Sequence, residues 1–251
     1  MDRIFVTGDT HGFNDVKKLD KMPDFLNKND ILFILGDSGI CWDGGTHDNL
    51  MSLYYNDKNY TIVSVIGNHE NHNLISKLPI VKKFGGKLRK VNNNVFYVEN
   101  GEILNINNKT FLCIGGADSI DKHLRTKGID WWSEETISNK DIIKARNNLE
   151  KYNNKVDYVL SHTGGIHIVS NLCFNPTKSD FKLTELLESI KYKHHYCGHY
   201  HFDKVISSKE RIVYDDLLEL YFNWEVCYNI IKEIKSEVFT YGKSFKWKSF
   251  Y

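Results

Sequence analysis

Five segments of this chain run from strand-forming residues straight into a turn that holds glycine beside a polar side chain. They read IFVTGDTHG from Ile4, ILFILGDSG from Ile31, TIVSVIGNHE from Thr61, VDYVLSHTGG from Val156 and YKHHYCGHYH from Tyr192. Apolar runs such as Ile31–Leu35 and Thr61–Ile66 belong to strands buried on both faces, which are found in covered parallel sheets. The connecting segments agree. Asp15–Leu26 spaces Val16, Leu19, Phe25 and Leu26 as a helix does, and Thr46–Tyr55 reads as a polar helix. Strand, helix, strand, helix, strand implies a parallel sheet joined by right-handed crossovers.

The middle of the chain has a different texture. Lys87–Val91, Val95–Val98, Glu102–Ile106 and Lys109–Ile114 are short strands divided by NNN, ENG and NNK, which predicts antiparallel hairpins. Ser133–Tyr152 is expected as one helix capped by Ser133. Lys182–Ile190 is expected as another. The whole, residues 1–251, is expected to be a single domain, with a core to about residue 215 and a β-rich C-terminal extension over about 216–251. A length of 251 residues suffices for one full hydrophobic core.

Composition narrows the partners. Lys and Arg total 33 against 32 Asp and Glu, a formal charge of +1, so no global field recruits nucleic acid or an anionic membrane. Five cysteines without a CxxC pair argue against a disulfide framework and against a thiolate zinc site. With no signal-like or membrane-length apolar stretch in view, the expected location is cytoplasmic.

In open α/β sheets, ligands bind beyond the carboxyl ends of the strands, so the five turns are expected to line one crevice. Asp9 and His11, like His199 and His201, are two residues apart, a step that on extended backbone sends both side chains to one side. Carboxylate, imidazole and an Asn carbonyl, with no thiolate, suit divalent ions such as Mn, Fe, Zn, Ni or Co. Each turn has a plain structural alternative, a tight turn for GD or a helix cap for GNHE. Five such coincidences would be needed to explain the set.

These blocks, GDTHG, GDSG, GNHE, SHTGG and GHYH in this order, resemble the calcineurin-like metallophosphoesterase superfamily over roughly residues 4–203. The resemblance implies a four-layer α/β/β/α sandwich of two mixed sheets flanked by helices. It implies two divalent metal ions, with Mn the natural choice in vitro. Asp9, His11 and His201 would hold one, Asn68, His162 and His199 the other, and Asp37 would bridge them. His69 would be the catalytic non-ligand histidine, and Glu70 a partner that orients its neighbours. The implied reaction is hydrolysis of a phosphate mono- or diester by in-line attack of a metal-bridging hydroxide.

Protein Ser/Thr phosphatases of that superfamily carry GDxVDRG and RGNHE where this chain has GDSGICW and IGNHE, so their phosphate-gripping arginines are missing. A protein phosphatase, or a non-catalytic binding module on the same fold, is therefore the lesser alternative to an enzyme acting on a small phosphorylated molecule or nucleotide. The long segment GGADSIDKHLRTKGIDWW, residues 115–132, is similar to one in phage- and prophage-borne members. Within it Arg125 or Lys122 is expected to bind substrate phosphate, and Trp131 and Trp132 to pack on the helix expected from Ser133. His47, His123, His167 and His194 are expected to be surface or satisfied core residues, and His72 to lie on a helix face. The tail GKSFKWKSFY reads as an edge strand in preference to a single-strand nucleic-acid contact.

Overall fold

Burial of both faces of the parallel strands dictates the layering, because successive side chains leave a strand on opposite faces and each face here meets apolar partners. The computed structural model describes residues 3–21, 26–220 and 225–229. One sheet contains β1 (Ile4–Thr7), β2 (Ile31–Ile34), β3 (Thr61–Ser64), β4 (Ile80–Lys83), β5 (Gly86–Lys90) and β6 (Val95–Val98). The other contains β7 (Glu102–Ile106), β8 (Lys109–Ile114), β9 (Tyr158–Ser161), β10 (His194–Cys197), β11 (Lys204–Val205) and β12 (Glu210–Ile212). The chain then returns to the first sheet with β13 (Asp216–Leu220) and β14 (Glu225–Asn229). The strand orders are β14-β13-β1-β2-β3-β6-β5-β4 and β11-β12-β10-β9-β8-β7.

In the first sheet β1, β2, β3 and β6 are parallel, with Val6 opposite Phe33, Phe33 opposite Val63 and Val63 opposite Phe96. The inner faces of the sheets meet through Phe33 and Phe111, stacked at 5.3 Å, and Phe111 stacks on Tyr158 at 4.8 Å. Phe5, Leu32, Ile34 and Ile62 point the other way, onto Met51 and Tyr55 of α1 (Thr46–Asn56) and Ile75 of α2 (His72–Lys77). On the second sheet's outer face Leu112, Ile114 and Val159 pack against α3 (Asn139–Glu150) and α5 (Lys178–Glu188), while α4 (Gly165–Asn171) sends Ile168 onto Cys197 and Ile212. The result is the expected four-layer α/β/β/α sandwich of two mixed sheets.

Several local expectations are corrected. The helix expected over 15–26 is a short 3₁₀ turn, Val16–Lys21, and Phe25 lies outside the described residues. The ENG turn does not close a hairpin; it carries the chain from β6, paired with β3, to β7, paired with β8 in the other sheet. The single helix expected from Ser133 is broken into a 3₁₀ turn, Ser133–Glu135, and α3. The break has a tertiary cause. Buried Glu135 accepts hydrogen bonds from Ser119 and Trp131, and the backbone N–H of buried Ile137 donates to Ser179. Ser138 then caps α3 in a reciprocal box with Asp141.

The segment from 216, expected as an extension, begins with β13, which pairs antiparallel with β1. The GKSFKWKSFY tail lies outside the described residues. No helix among the described residues is long and apolar enough to cross a membrane.

The corrected boundary is testable by urea unfolding. Ser138→Ala removes the cap and should cost about 1 kcal/mol, whereas Ser133→Ala, at an exposed site, should stay within about 0.5 kcal/mol.

Candidate metal centre

All seven expected ligands stand just past the carboxyl ends of parallel strands. Asp9 and His11 follow β1, Asp37 follows β2, Asn68 follows β3, His162 follows β9, and His199 and His201 follow β10. The first three loops come from one sheet and the last two from the other, and the layers bring them to a common edge. The backbone there is not extended, contrary to the two-residue-step argument. His11, Asp37, His199 and His201 have φ of 36°, 49°, 71° and 56°. Left-handed conformations are costly for residues with a Cβ and persist where surrounding contacts enforce them. Two neighbouring glycines are needed for close approach: a Cβ on Gly36 would strike the His162 ring, and one on Gly198 the Asp9 carboxylate.

Hydrogen bonds outside the crevice orient the rings. His162 Nδ1–H donates to the Leu35 carbonyl at 2.7 Å, which turns the Nε2 lone pair inward. There Nε2 meets Asn68 Oδ1 at 2.8 Å and Asp37 Oδ2 at 3.3 Å. Asn68 in turn donates its amide to Ser119 Oγ at 3.0 Å, so its carbonyl oxygen is the atom that faces His162. His11 Nδ1–H donates to Asp15 at 2.6 Å, leaving Nε2 at 3.6 Å from Asp37 Oδ2 and 4.0 Å from Asp9 Oδ2. His201 Nε2 lies 3.3 Å from Asp9 Oδ2, and the His199 ring packs edge-on to His162 at 4.9 Å. The two histidines of GHYH thus face different partners.

This donor set is short of positive charge. Asp37 Oδ2 and His11 Nε2 are buried without a hydrogen-bond partner among the described residues. Asp9, His11 and His201 offer ligand atoms within 4.8 Å of one another, as do Asp9, Asp37 and His162, and also His11, Asp37 and His69. Without a cation only protons can relieve the repulsion between acceptors. Burial works against a charged His162, yet the Asp37 carboxylate beside it pushes its pKa up to about 10. Burial likewise opposes protonation of His11, and Asp37 and Asp9 raise it to about 9. Asp37 is held well below the carboxylate range despite its burial, chiefly by the His162 charge. Burial and the neighbouring His162 lower His199 to about 4, which keeps its lone pair free. The residues therefore fit divalent ions, with oxygen and imidazole ligands throughout.

The loops are tied together beneath these side chains. Buried Glu70 accepts from the backbone N–H groups of Asp37, Ser38 and Gly67 and from Ser38 Oγ, joining the loops after β2 and β3. Buried Lys18 was not anticipated as part of the site. Its ammonium donates to the carbonyls of Gly8, Asp9 and Tyr214, and the Tyr214 ring stacks on His201 at 5.1 Å. The only hint in the sequence was a lysine between two core residues, Val16 and Leu19, in a stretch read for its helical period.

His69 stands beside this set, its ring 5.7 Å from that of His11 and its backbone N–H on Asp37 Oδ1 at 2.8 Å. Arg125 Nη1 lies 3.0 Å from His69 Nδ1, and its Nη2 pairs with Asp121 at 2.8 Å. Burial holds the His69 pKa below its ordinary value, and the Arg125 charge adds to the lowering against the pull of Asp37. Trp42, unremarked in the sequence, stacks on His69 at 6.2 Å and meets buried Trp132 edge-on at 6.3 Å. Trp131 donates to Glu135, and Lys122 is exposed. Trp131 therefore bonds to the 3₁₀ turn Ser133–Glu135 and Trp132 packs on Trp42, and no α-helix starts at Ser133.

Of the remaining histidines, His47 meets the Gly39 carbonyl, His167 pairs with Glu210, His194 stacks against Tyr158 and Tyr196, and His123 is exposed. His72 opens α2, partly buried. His195, not singled out in the sequence, is buried and bonds Ser161 beside His162.

The protonation pattern gives a test. In metal-free protein His162 and His11 are raised above the ordinary 6.5, so the stability they contribute is complete below that pH and is lost as pH rises through about 9 to 10. A divalent ion that replaces those protons removes the loss. Thermal unfolding of chelated protein should therefore weaken steadily from pH 7 to 10, and Mn-loaded protein should resist it. Parallel pH curves with and without metal would contradict this assignment of the buried charges.

The family described as calcineurin-like phosphoesterase matches residues 2–203. No curated protein sequence matches the chain. Among solved structures it is similar to the Termus thermophilus sulfate thiohydrolase SoxB in complex with glycerol, at 11% identity and a TM-score of 0.40. That alignment covers 87% of this chain and 53% of the other, so the chain spans about half the length of that relative. With most of its length matched by one family, and with the family's ordered turns gathered at one sheet edge, the chain belongs to the calcineurin-like phosphoesterases.

Proposed function

We propose that the protein is a two-metal phosphoesterase that hydrolyses a phosphate mono- or diester of a small molecule or nucleotide. The observation that carries the reading is the inward convergence of buried side-chain atoms with no hydrogen-bond partner among the described residues, Asp37 Oδ2 and His11 Nε2 foremost. Asp9, His11 and His201 would hold one ion, Asn68, His162 and His199 the second, and Asp37 would reach both. Divalent ions bound there supply Lewis acidity toward phosphoryl oxygens and make a nucleophile available near neutral pH.

The protein's own groups do the rest. Arg125 carries a guanidinium, able to hold two phosphoryl oxygens in a fork, to the rim beside His69. Because Arg125 can only donate, its shorter contact, Nη1 to Nδ1 at 3.0 Å against Nη2 to Nε2 at 3.5 Å, favours the tautomer with the His69 proton on Nε2. That N–H is available to the phosphoryl group or the departing oxygen as negative charge develops. Trp42 and Trp132 wall the same side and limit water's access to His69. The chain's +1 charge favours small phosphorylated substrates over long polyanions in this crevice.

His69→Ala should retain its metal content and lose about 10²- to 10⁴-fold in kcat on a chromogenic phosphate ester. Unchanged kcat would remove His69 from the reaction. Arg125→Ala should raise KM by about tenfold, the loss of one charge-assisted contact, and an unaltered KM would detach it from substrate.

A further inference from the structure

Away from the crevice, the stretch VKKFGGKLRK over residues 81–90 concentrates basic side chains in a chain with almost no net charge. The β4–β5 hairpin sets Lys82 directly opposite Lys87. Like charges facing each other across an antiparallel ladder destabilise it. A lone lysine on an edge strand deters unwanted pairing, but a second one facing it adds repulsion with no further protection. Opposite this hairpin, α3 presents Lys140 and Lys144, with Lys151 just past its C-terminal end, and a cleft of about 590 Å³ lies between the two walls. The one carboxylate lining it among the described residues, Glu102, is taken up by Lys144 at 2.9 Å and by the Lys87 backbone N–H. Lys82, Lys87, Lys140 and Lys151 have no carboxylate partner among the described residues. None of the crevice residues lines this cleft.

We infer that the cleft between the β4–β5 hairpin and α3 is a second anion site, which takes a compact oligophosphate. Its volume is that of a small-ligand pocket. Among the described residues no aromatic side chain lines it or offers a surface on which a nucleobase could stack, and recognition falls to the phosphates. The lysines lie at the surface, so affinity comes from several of them acting together and falls with salt. An anion bridging Lys82 and Lys87 relieves the repulsion that the bare hairpin carries.

The test uses the full-length, metal-loaded protein with sodium tripolyphosphate as probe, read by titration and thermal unfolding. Lys87→Glu places opposite charges across the hairpin. The variant should unfold at a higher temperature than the parent without the probe, bind the probe at least tenfold more weakly, and hydrolyse a small chromogenic ester at the parent rate. Lys140→Ala/Lys151→Ala, on the other wall, should also weaken binding. Chelation of the catalytic metals by the probe affects parent and variants alike, so the difference between them reports the cleft. Equal binding by parent and Lys87→Glu overturns the inference. So does binding of a single-stranded oligonucleotide without binding of tripolyphosphate, which would make the surface a nucleic-acid contact.

Discussion

Acceptors facing acceptors in a buried space set the terms for everything around them. Asn68 Oδ1 and Asp37 Oδ2 both lie within 3.3 Å of His162 Nε2, and both rings that flank Asp37 have their outer nitrogens already committed to Leu35 and Asp15. Such a cluster is repulsive unless a positive charge sits in it. Protons can supply that charge, as the raised His162 and His11 show, and divalent cations can supply more of it. The repulsion is therefore the trace of a site shaped for metal, and the fold must be stiff enough to bear it.

That stiffness comes from where the loops start and from what lies beneath them. Each loop leaves a strand locked in register with its neighbours: Thr7 beside Ile34, Ile34 beside Ser64, and Ser161 beside Cys197. The interlocked aromatic layer of Phe33, Phe111 and Tyr158 joins the two sheets and fixes the distance between the loops after β1–β3 and those after β9–β10. Beneath the site, Glu70 gathers donors from two loops and Lys18 gathers carbonyls from the Asp9 loop and from Tyr214. These bonds offset the cost of four side chains held on left-handed backbone.

The parallel strands and the five terminal turns were legible because burial on both faces leaves a continuous apolar run and a tight turn leaves glycine. The ordered residue types also made the family legible. The 3₁₀ turn at 16–21 was read as a longer helix because Val16 and Leu19 suit either spacing, and the period of a short segment cannot separate them. The start of α3 was misplaced for a different reason. Ser133 followed by acidic residues and Ser138 followed by Asp141 are both fair caps, and the choice between them fell to Glu135 and Ile137, which are engaged by Ser119, Trp131 and Ser179 from remote parts of the chain. The ENG turn resembled a hairpin turn, and only the pairing of β6 with β3 made it a bridge between sheets.

Local chemistry, then, was written in the chain by itself: which residue types stand at the strand ends, their order, and the lack of thiolates among them. Those follow from side-chain identity and from spacing over a few residues. The tertiary structure alone decided that Lys18 and Tyr214 would support Asp9 and His201, that Trp42 would stack on His69 with Arg125 alongside, and that Lys82 and Lys87 would face α3 across a cleft. Each of these joins residues far apart in the chain, or opposes two strands in a register that composition does not state. Such contacts arise only when two sheets close on a shared core and carry their loops to one edge.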